Sequence, residues 1–153
     1  MFSIDSVMSK DLITALPGES LADARSRMQA HQIHHLPIVD DDGQLIGLLT
    51  STNLLAATDS ILREQDNRMH AKEILIEDVM VTELATIDEQ AGLRQAALFL
   101  EKHQIGCLPV VTDGKLKGII TDTDFVAIAI NLLEQLEDSE PLDDSEPLDE
   151  EFS

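Results

Sequence analysis

The sequence predicts an α/β (α+β) fold: two consecutive copies of one β-α-β-β-α unit sharing a core, followed by an acidic tail. Three observations predict it. First, GLLTSTNL at 47–54 returns as GIITDTDF at 118–125, and HQIHHLPIV at 31–39 returns as HQIGCLPVV at 103–111. Upstream, Val7-Met8, Thr14, Leu21 and Ala24 return as Val79-Met80, Thr86, Leu93 and Ala96. Second, the only change of register falls in a turn: Val79 follows Val7 by 72 positions and Gly118 follows Gly47 by 71, because DDDG at 40–43 becomes TDG at 112–114. Turns tolerate such a loss and packed elements do not. Third, apolar spacing alternates between short strand-like runs and helical stripes until Glu137, where the composition changes. A unit of this length cannot bury its own apolar face well, so the copies are expected to share one core.

Taken in order, residues 1–12 are a lead-in anchored by Val7-Met8, and Ile13–Leu16 is a short strand stopped by Pro17-Gly18. Ser20 with Asp23 three later marks a helix start, and Leu21, Ala24 and Met28 form its apolar stripe. That helix must end near His31–Ile33, since Pro37 disfavours helix before it. Residues 36–39 and 45–49 make a hairpin around 40–43, and a second helix runs from Thr50 to about Gln65, with Leu54, Leu55, Thr58, Ile61 and Leu62 on one face. The first copy thus spans 1–66 and the second 67–136. In the second, Ala85–Ile87 is the short strand, Leu93, Ala96, Ala97 and Leu100 stripe the first helix, 108–111 and 116–120 form the hairpin, and Phe125 to about Leu136 the last helix.

That last helix is apolar on more than one face, from Phe125 and Val126 to Leu133 and Leu136. One small unit cannot cover so wide a surface, which predicts a homodimer through the helices. Residues 137–153 hold the tandem hexapeptide DSEPLD-DSEPLD, acidic and proline-bearing, expected to be disordered or extended. It is read as an interaction tail or as a solubilising appendage.

Thirty acidic against ten basic residues give a formal charge of −20 over 153 residues, which excludes nucleic acid and anionic membranes as main partners. No apolar run reaches membrane-spanning length and the N-terminus has no signal-peptide pattern; the single Cys107 cannot form an internal disulfide and fits a reducing cytoplasm. No nucleophile–base pair, metal set or phosphate-cradling glycine loop is evident, so an enzyme is not expected.

The chemistry concentrates where each hairpin meets its helix. Thr121 and Asp124 stand three apart at a strand-to-helix turn. Free N–H groups and a hydroxyl there suit phosphate, and a carboxylate one turn on suits a vicinal diol such as a ribose. The same spacing is also a helix-capping pattern, and the turn alone does not decide between them. The lead-in Val-Met, the short strand with Thr, the h-x-x-h-P-h-h strand start and the G-h-h-T-x-x-D/N turn, each twice in order, resemble a pair of CBS domains, the cystathionine-beta-synthase-type repeat that forms a Bateman module. The resemblance covers about residues 1–136.

It implies two units packed around a pseudo-two-fold axis, two clefts for adenosine-type ligands (AMP, ADP, ATP or S-adenosyl compounds), a regulatory role, a homodimer, and output on an effector protein in trans. Each cleft would take its turn from one copy and its short strand and proline loop from the other. The main cleft would combine Ile13, Thr14, Ala15, Ile33, His34, His35, Leu36 and Pro37 with Thr121 and Asp124. Asp124 would hold the ribose, and the histidines would lie near phosphate, which favours the charged imidazole. The weaker second cleft would combine Thr50 and Asn53 with Ala85, Thr86, Ile87, Ile105, Gly106, Cys107, Leu108 and Pro109; there an amide replaces the carboxylate and the loop lacks histidine. The resemblance leaves open which ligand binds and whether Mg²⁺ accompanies it. A metal at His31, His34 and His35 is disfavoured, because Pro37 pulls the last two off the helix and no further ligand completes a set. The competing expectation is a ligand-free oligomerisation or docking module with degenerate clefts.

Overall fold

A computed structural model describes residues 3–63 and 74–139. The elements run α1 (Ile4–Val7), α2 (Leu21–His31), β1 (His35–Val39), β2 (Leu45–Thr50), α3 (Ser51–Arg63), a 3-10 turn (Ile76–Asp78), β3 (Ile87–Asp88), α4 (Leu93–His103), β4 (Cys107–Thr112), β5 (Lys115–Thr121) and α5 (Asp122–Ser139). β1 and β2 form an antiparallel hairpin, as do β4 and β5, while β3 pairs parallel with β4.

The local signals act as expected. Ser20 Oγ accepts the Asp23 N–H at 3.0 Å and starts α2. Gln32 (φ 54°) and Gln104 (φ 52°) end α2 and α4 identically, in the left-handed conformation. Leu21, Ala24 and Met28 are buried, as are Ala96 and Leu100.

Four expectations change. The strand at Ile13–Leu16 shrinks to a single parallel bridge, Ala15 to Ile38, because Pro17-Gly18 follows at once and a side-chain clamp carries the rest of the segment. The second short strand lies at Ile87–Asp88 rather than Ala85–Ile87. α5 begins three residues before Phe125, since Asp122 already lies in the first turn set by Thr121, and it continues through Glu137, Asp138 and Ser139, which the tail was expected to claim. The remainder of the tail, and the end of the helix expected to reach Gln65, lie outside the described residues.

The fourth change is the core, which is two clusters rather than one. Ile4 and Met8 of the first copy pack with Ile87, Ala96, Leu100, Leu108, Val110 and Ile120 of the second. Ile76, with Val79 and Met80 against it, packs with Ala15, Leu21, Ala24, Met28, Leu36, Ile38 and Leu49 of the first. Each copy therefore buries the other's lead-in, which supplies the apolar surface that a single unit lacks.

The exchange is reciprocal and defines the pseudo-two-fold axis. Ser9 and Ile119 trade backbone hydrogen bonds (2.9 and 3.1 Å), and Leu48 and Val81 do the same (both 2.9 Å). Leu45 N–H donates to the Gly114 carbonyl (3.0 Å) and Leu116 N–H to the Gly43 carbonyl (3.2 Å). A Cβ at Gly118 would strike Met8, and one at Gly47 would strike Met80. The glycine opening each G-h-h-T run is thus the seat for the other copy's lead-in methionine.

Candidate functional site

Both strand-to-helix turns are internally capped. Asp124 Oδ2 accepts the Thr121 N–H (2.8 Å) and hydroxyl (3.2 Å). Asn53 Oδ1 accepts the Thr50 hydroxyl (2.7 Å) and N–H (3.3 Å), while Asn53 N–H donates to Thr50 Oγ1 (3.1 Å). The capping pattern is therefore realised in both copies. The two caps differ in what they leave over. The carboxylate keeps its second oxygen, Oδ1, outside these bonds, as an acceptor. The amide has committed its single oxygen and has only N–H groups to offer.

The first copy's strap, Ile13–Leu16, lies along β1: Ala15 N–H donates to the Pro37 carbonyl (3.1 Å) and Val39 N–H to the Ala15 carbonyl (2.9 Å). Arg27 and Glu19 hold it from the other side. Arg27 donates to Glu19 through both nitrogens (3.2 and 2.7 Å) and to the Thr14 carbonyl (3.0 Å), and Glu19 Oε2 accepts the Leu16 N–H (2.8 Å). The hydrogen bond from Arg27 holds the Glu19 carboxyl below its usual range, against the opposing effect of burial. The structure thus joins Ala15 to Pro37 and Val39 through the backbone.

The two histidines have different settings. His34 is exposed, with Nδ1 3.2 Å from Ser51 Oγ, and it lines a groove of about 500 Å³ between α2 and α3. A matching groove of about 460 Å³ lies between α4 and α5. His35 is half-buried on β1 and lines a separate cavity of about 220 Å³ with Thr50, Ala85, Gly106, Cys107 and Pro109. Its lining shares Thr50, Ala85, Ile105, Gly106, Cys107 and Pro109 with the second cleft expected from the sequence, while Asn53, Thr86, Ile87 and Leu108 do not line it. His34 stands beside the first copy's own turn, at Ser51, while His35, whose backbone pairs with Thr50, has its ring nitrogen near Gly106 and Asp122 of the second copy. The second cleft therefore has an imidazole that the sequence reading denied it.

Burial, then the neighbouring His34, pushes the His35 imidazole below its usual range, with Asp122 pulling the other way. Asp122 Oδ2 and His35 Nε2 would lie 3.6 and 3.9 Å from a Cβ on Gly106, so a side chain there would fill the seam between the copies. Cys107 opens β4 and is buried; burial, reinforced by Asp122, pushes its thiol up to about 12, leaving an apolar filler and no nucleophile. Sequence reasoning missed Leu48, Val81, Glu83 and Leu84 on the cavity wall. Only their place beside the lead-in signals them, and that signal needs the cross-copy pairing of Leu48 with Val81. Among the described residues no helix is long and apolar enough to cross a membrane.

The CBS domain family model matches residues 4–60 and 76–131. The crystal structure of a Vibrio cholerae protein whose description names acetoin utilization (AcuB) is similar at TM-score 0.77 and 43% identity, over 92% of this chain and 99% of that one. CBSX2, a CBS-pair protein of Arabidopsis thaliana solved in complex with AMP, gives TM-score 0.74 and 27% identity over 86% and 98%. The CBS domain pair of protein MJ0100, solved with 5′-methylthioadenosine and S-adenosyl-L-methionine, gives 0.71 and 28% over 86% and 98%. Among curated relatives the chain spans 93% of one but 45%, 22% and 32% of the three that follow.

Proposed function

The chain belongs to the CBS domain family, and from that membership we propose that it is a regulatory module that senses an adenine nucleotide or S-adenosyl compound and acts in trans on a partner protein. The observation that carries the proposal is the cavity at the seam of the copies, where Thr50 and His35 of the first face Ala85, Ile105, Gly106, Cys107 and Pro109 of the second. A ligand there touches both copies, so it favours the relative arrangement in which both sets of contacts are made. Solved CBS pairs that match this chain nearly end to end hold AMP or S-adenosyl ligands, which supports the ligand class. The residues proposed for the main cleft are Thr121, Asp124, Ile13–Ala15 and Ile33–Pro37, and for the second Thr50, Asn53, Ala85–Ile87 and Ile105–Pro109. Asp124 Oδ1 is the acceptor proposed for a ribose diol.

Val126, Ile130, Leu133 and Leu136 are each more than half exposed on α5, as is Leu55 on α3. This apolar surface supports a homodimer through the helices, and it equally favours the second reading, a docking module that needs no ligand. Calorimetric titration of the full chain with AMP, ADP, ATP and S-adenosylmethionine separates the two. Saturable heat from any of them supports the sensor; no binding at millimolar ligand leaves the docking module.

A further inference from the structure

We propose that the cavity between the copies takes an adenosine derivative carrying no phosphate chain, and discriminates against nucleoside di- and triphosphates. The inference rests on the sensor reading above and narrows its ligand class. Among the described residues the cavity wall contains no lysine or arginine. Its only carboxylate among the described residues, Glu83, is exposed. Its hydroxyl, Thr50, is tied to Asn53 at 2.7 Å. Asp122 stands across Gly106 from His35 and adds a second negative group at the seam. A phosphate chain would thus meet Glu83 on the wall, with Asp122 nearby across Gly106, and no permanent cation among the described residues, on a chain already at −20. The volume of about 220 Å³ also lies below the roughly 300–1,000 Å³ of pockets for larger ligands, which suits a compact nucleoside.

Among the described residues His35 is the one group on the wall that can turn cationic. The titratable and charged groups around it are His34 beside it, Asp122 at the start of α5, Glu83 on the lead-in of the second copy and Cys107 on β4. Its burial keeps it neutral at pH 8, and acid would give a monophosphate its single positive partner.

The test is calorimetric titration of the full chain with adenosine, 5′-methylthioadenosine, AMP and ATP at pH 8 and pH 6. At pH 8, adenosine and methylthioadenosine are expected to bind at least about tenfold tighter than ATP, the scale on which local charge changes affinity. ATP binding as tightly as adenosine overturns this inference and leaves the sensor reading standing; no binding by any of the four overturns this inference, and the sensor reading falls with it when ADP and S-adenosylmethionine fail as well. Glu83→Lys, at an exposed position, is expected to move the ATP-to-adenosine affinity ratio toward ATP by about tenfold. An unchanged ratio overturns the placement in this cavity. AMP is expected to gain affinity from pH 8 to pH 6 by more in the native chain than in His35→Gln, and equal gains overturn the role of His35.

Discussion

Gly118→Ala tests whether the exchange of lead-ins holds the two copies together. The new methyl would sit 2.5 Å from Met8 Sδ, 2.8 Å from its Cγ and 3.0 Å from the Ser9 carbonyl oxygen. The methionine can bend away in part. The carbonyl cannot without opening the bridge it forms with Ile119. Overpacking of this kind costs about 1–3 kcal/mol. Loss of the two Ser9–Ile119 hydrogen bonds adds about 0.5–1.5 kcal/mol each. A net loss of about 3 kcal/mol is expected, a fall in Tm of roughly 10 °C for a chain of this length. Urea and thermal denaturation of the full chain, followed by circular dichroism, measure it. Gly18→Ala is the control: a Cβ there meets nothing within 4 Å, so it should stay within about 0.5 kcal/mol of the parent. Met8→Ala removes a buried side chain and should itself cost about 2–4 kcal/mol. If the clash is the cause, the double variant is less destabilised than the sum by at least about 1 kcal/mol. Additive losses, or a Gly118→Ala as mild as Gly18→Ala, would refute the seat.

Three further outcomes follow from the same geometry. Arg27→Ala removes the bidentate pair with Glu19 and the bond to the Thr14 carbonyl, with both side chains about two-thirds or more covered, and should cost about 1–2 kcal/mol in urea denaturation. Glu19 titrates below its ordinary 4.5 when folded, so its contribution is present above that pH and disappears as pH falls through the lowered value; the Arg27→Ala deficit should shrink there. His35 has the opposite charge type: folded, it titrates below its ordinary 6.5, so the unfolded chain takes up the proton first and stability falls as pH drops through that value. His35→Gln should flatten this limb of the stability profile between pH 8 and 5, and an unaltered limb would assign it to another group. Cys107, with its thiol pushed up to about 12 and its side chain buried, should resist Ellman's reagent at pH 8 in the native chain and react fully in denaturant; rapid native labelling would contradict its burial.

Much of the architecture could be read from local patterns because those patterns act over one or two turns of chain. Ser20 and Asp23 begin a helix, Gly43 and Gly114 close hairpins at φ 84° and 81°, and the stripes at Leu21–Met28 and Leu93–Leu100 face inward. The short strand expected at Ile13–Leu16 reduces to a single bridge, since that bridge and the side chains of Glu19 and Arg27 suffice to hold the segment. The different settings of His34, exposed beside Ser51, and His35, half-buried near Gly106 and Asp122, are not legible in the sequence, because spacing does not carry the direction of a side chain.

The sequence by itself determined the duplication, the order of elements and the capped turns, because a tandem repeat and short-range hydrogen bonding are written in residue identity and spacing. Tertiary structure alone decided that each lead-in crosses to the other copy. The pairs Met8–Gly118 and Met80–Gly47 join residues distant in the chain, and which of two near-identical glycine seats each methionine occupies depends on close packing rather than on local preference. The same crossing sets Val81 against Leu48, and so fixes which side chains wall the cavity between the copies.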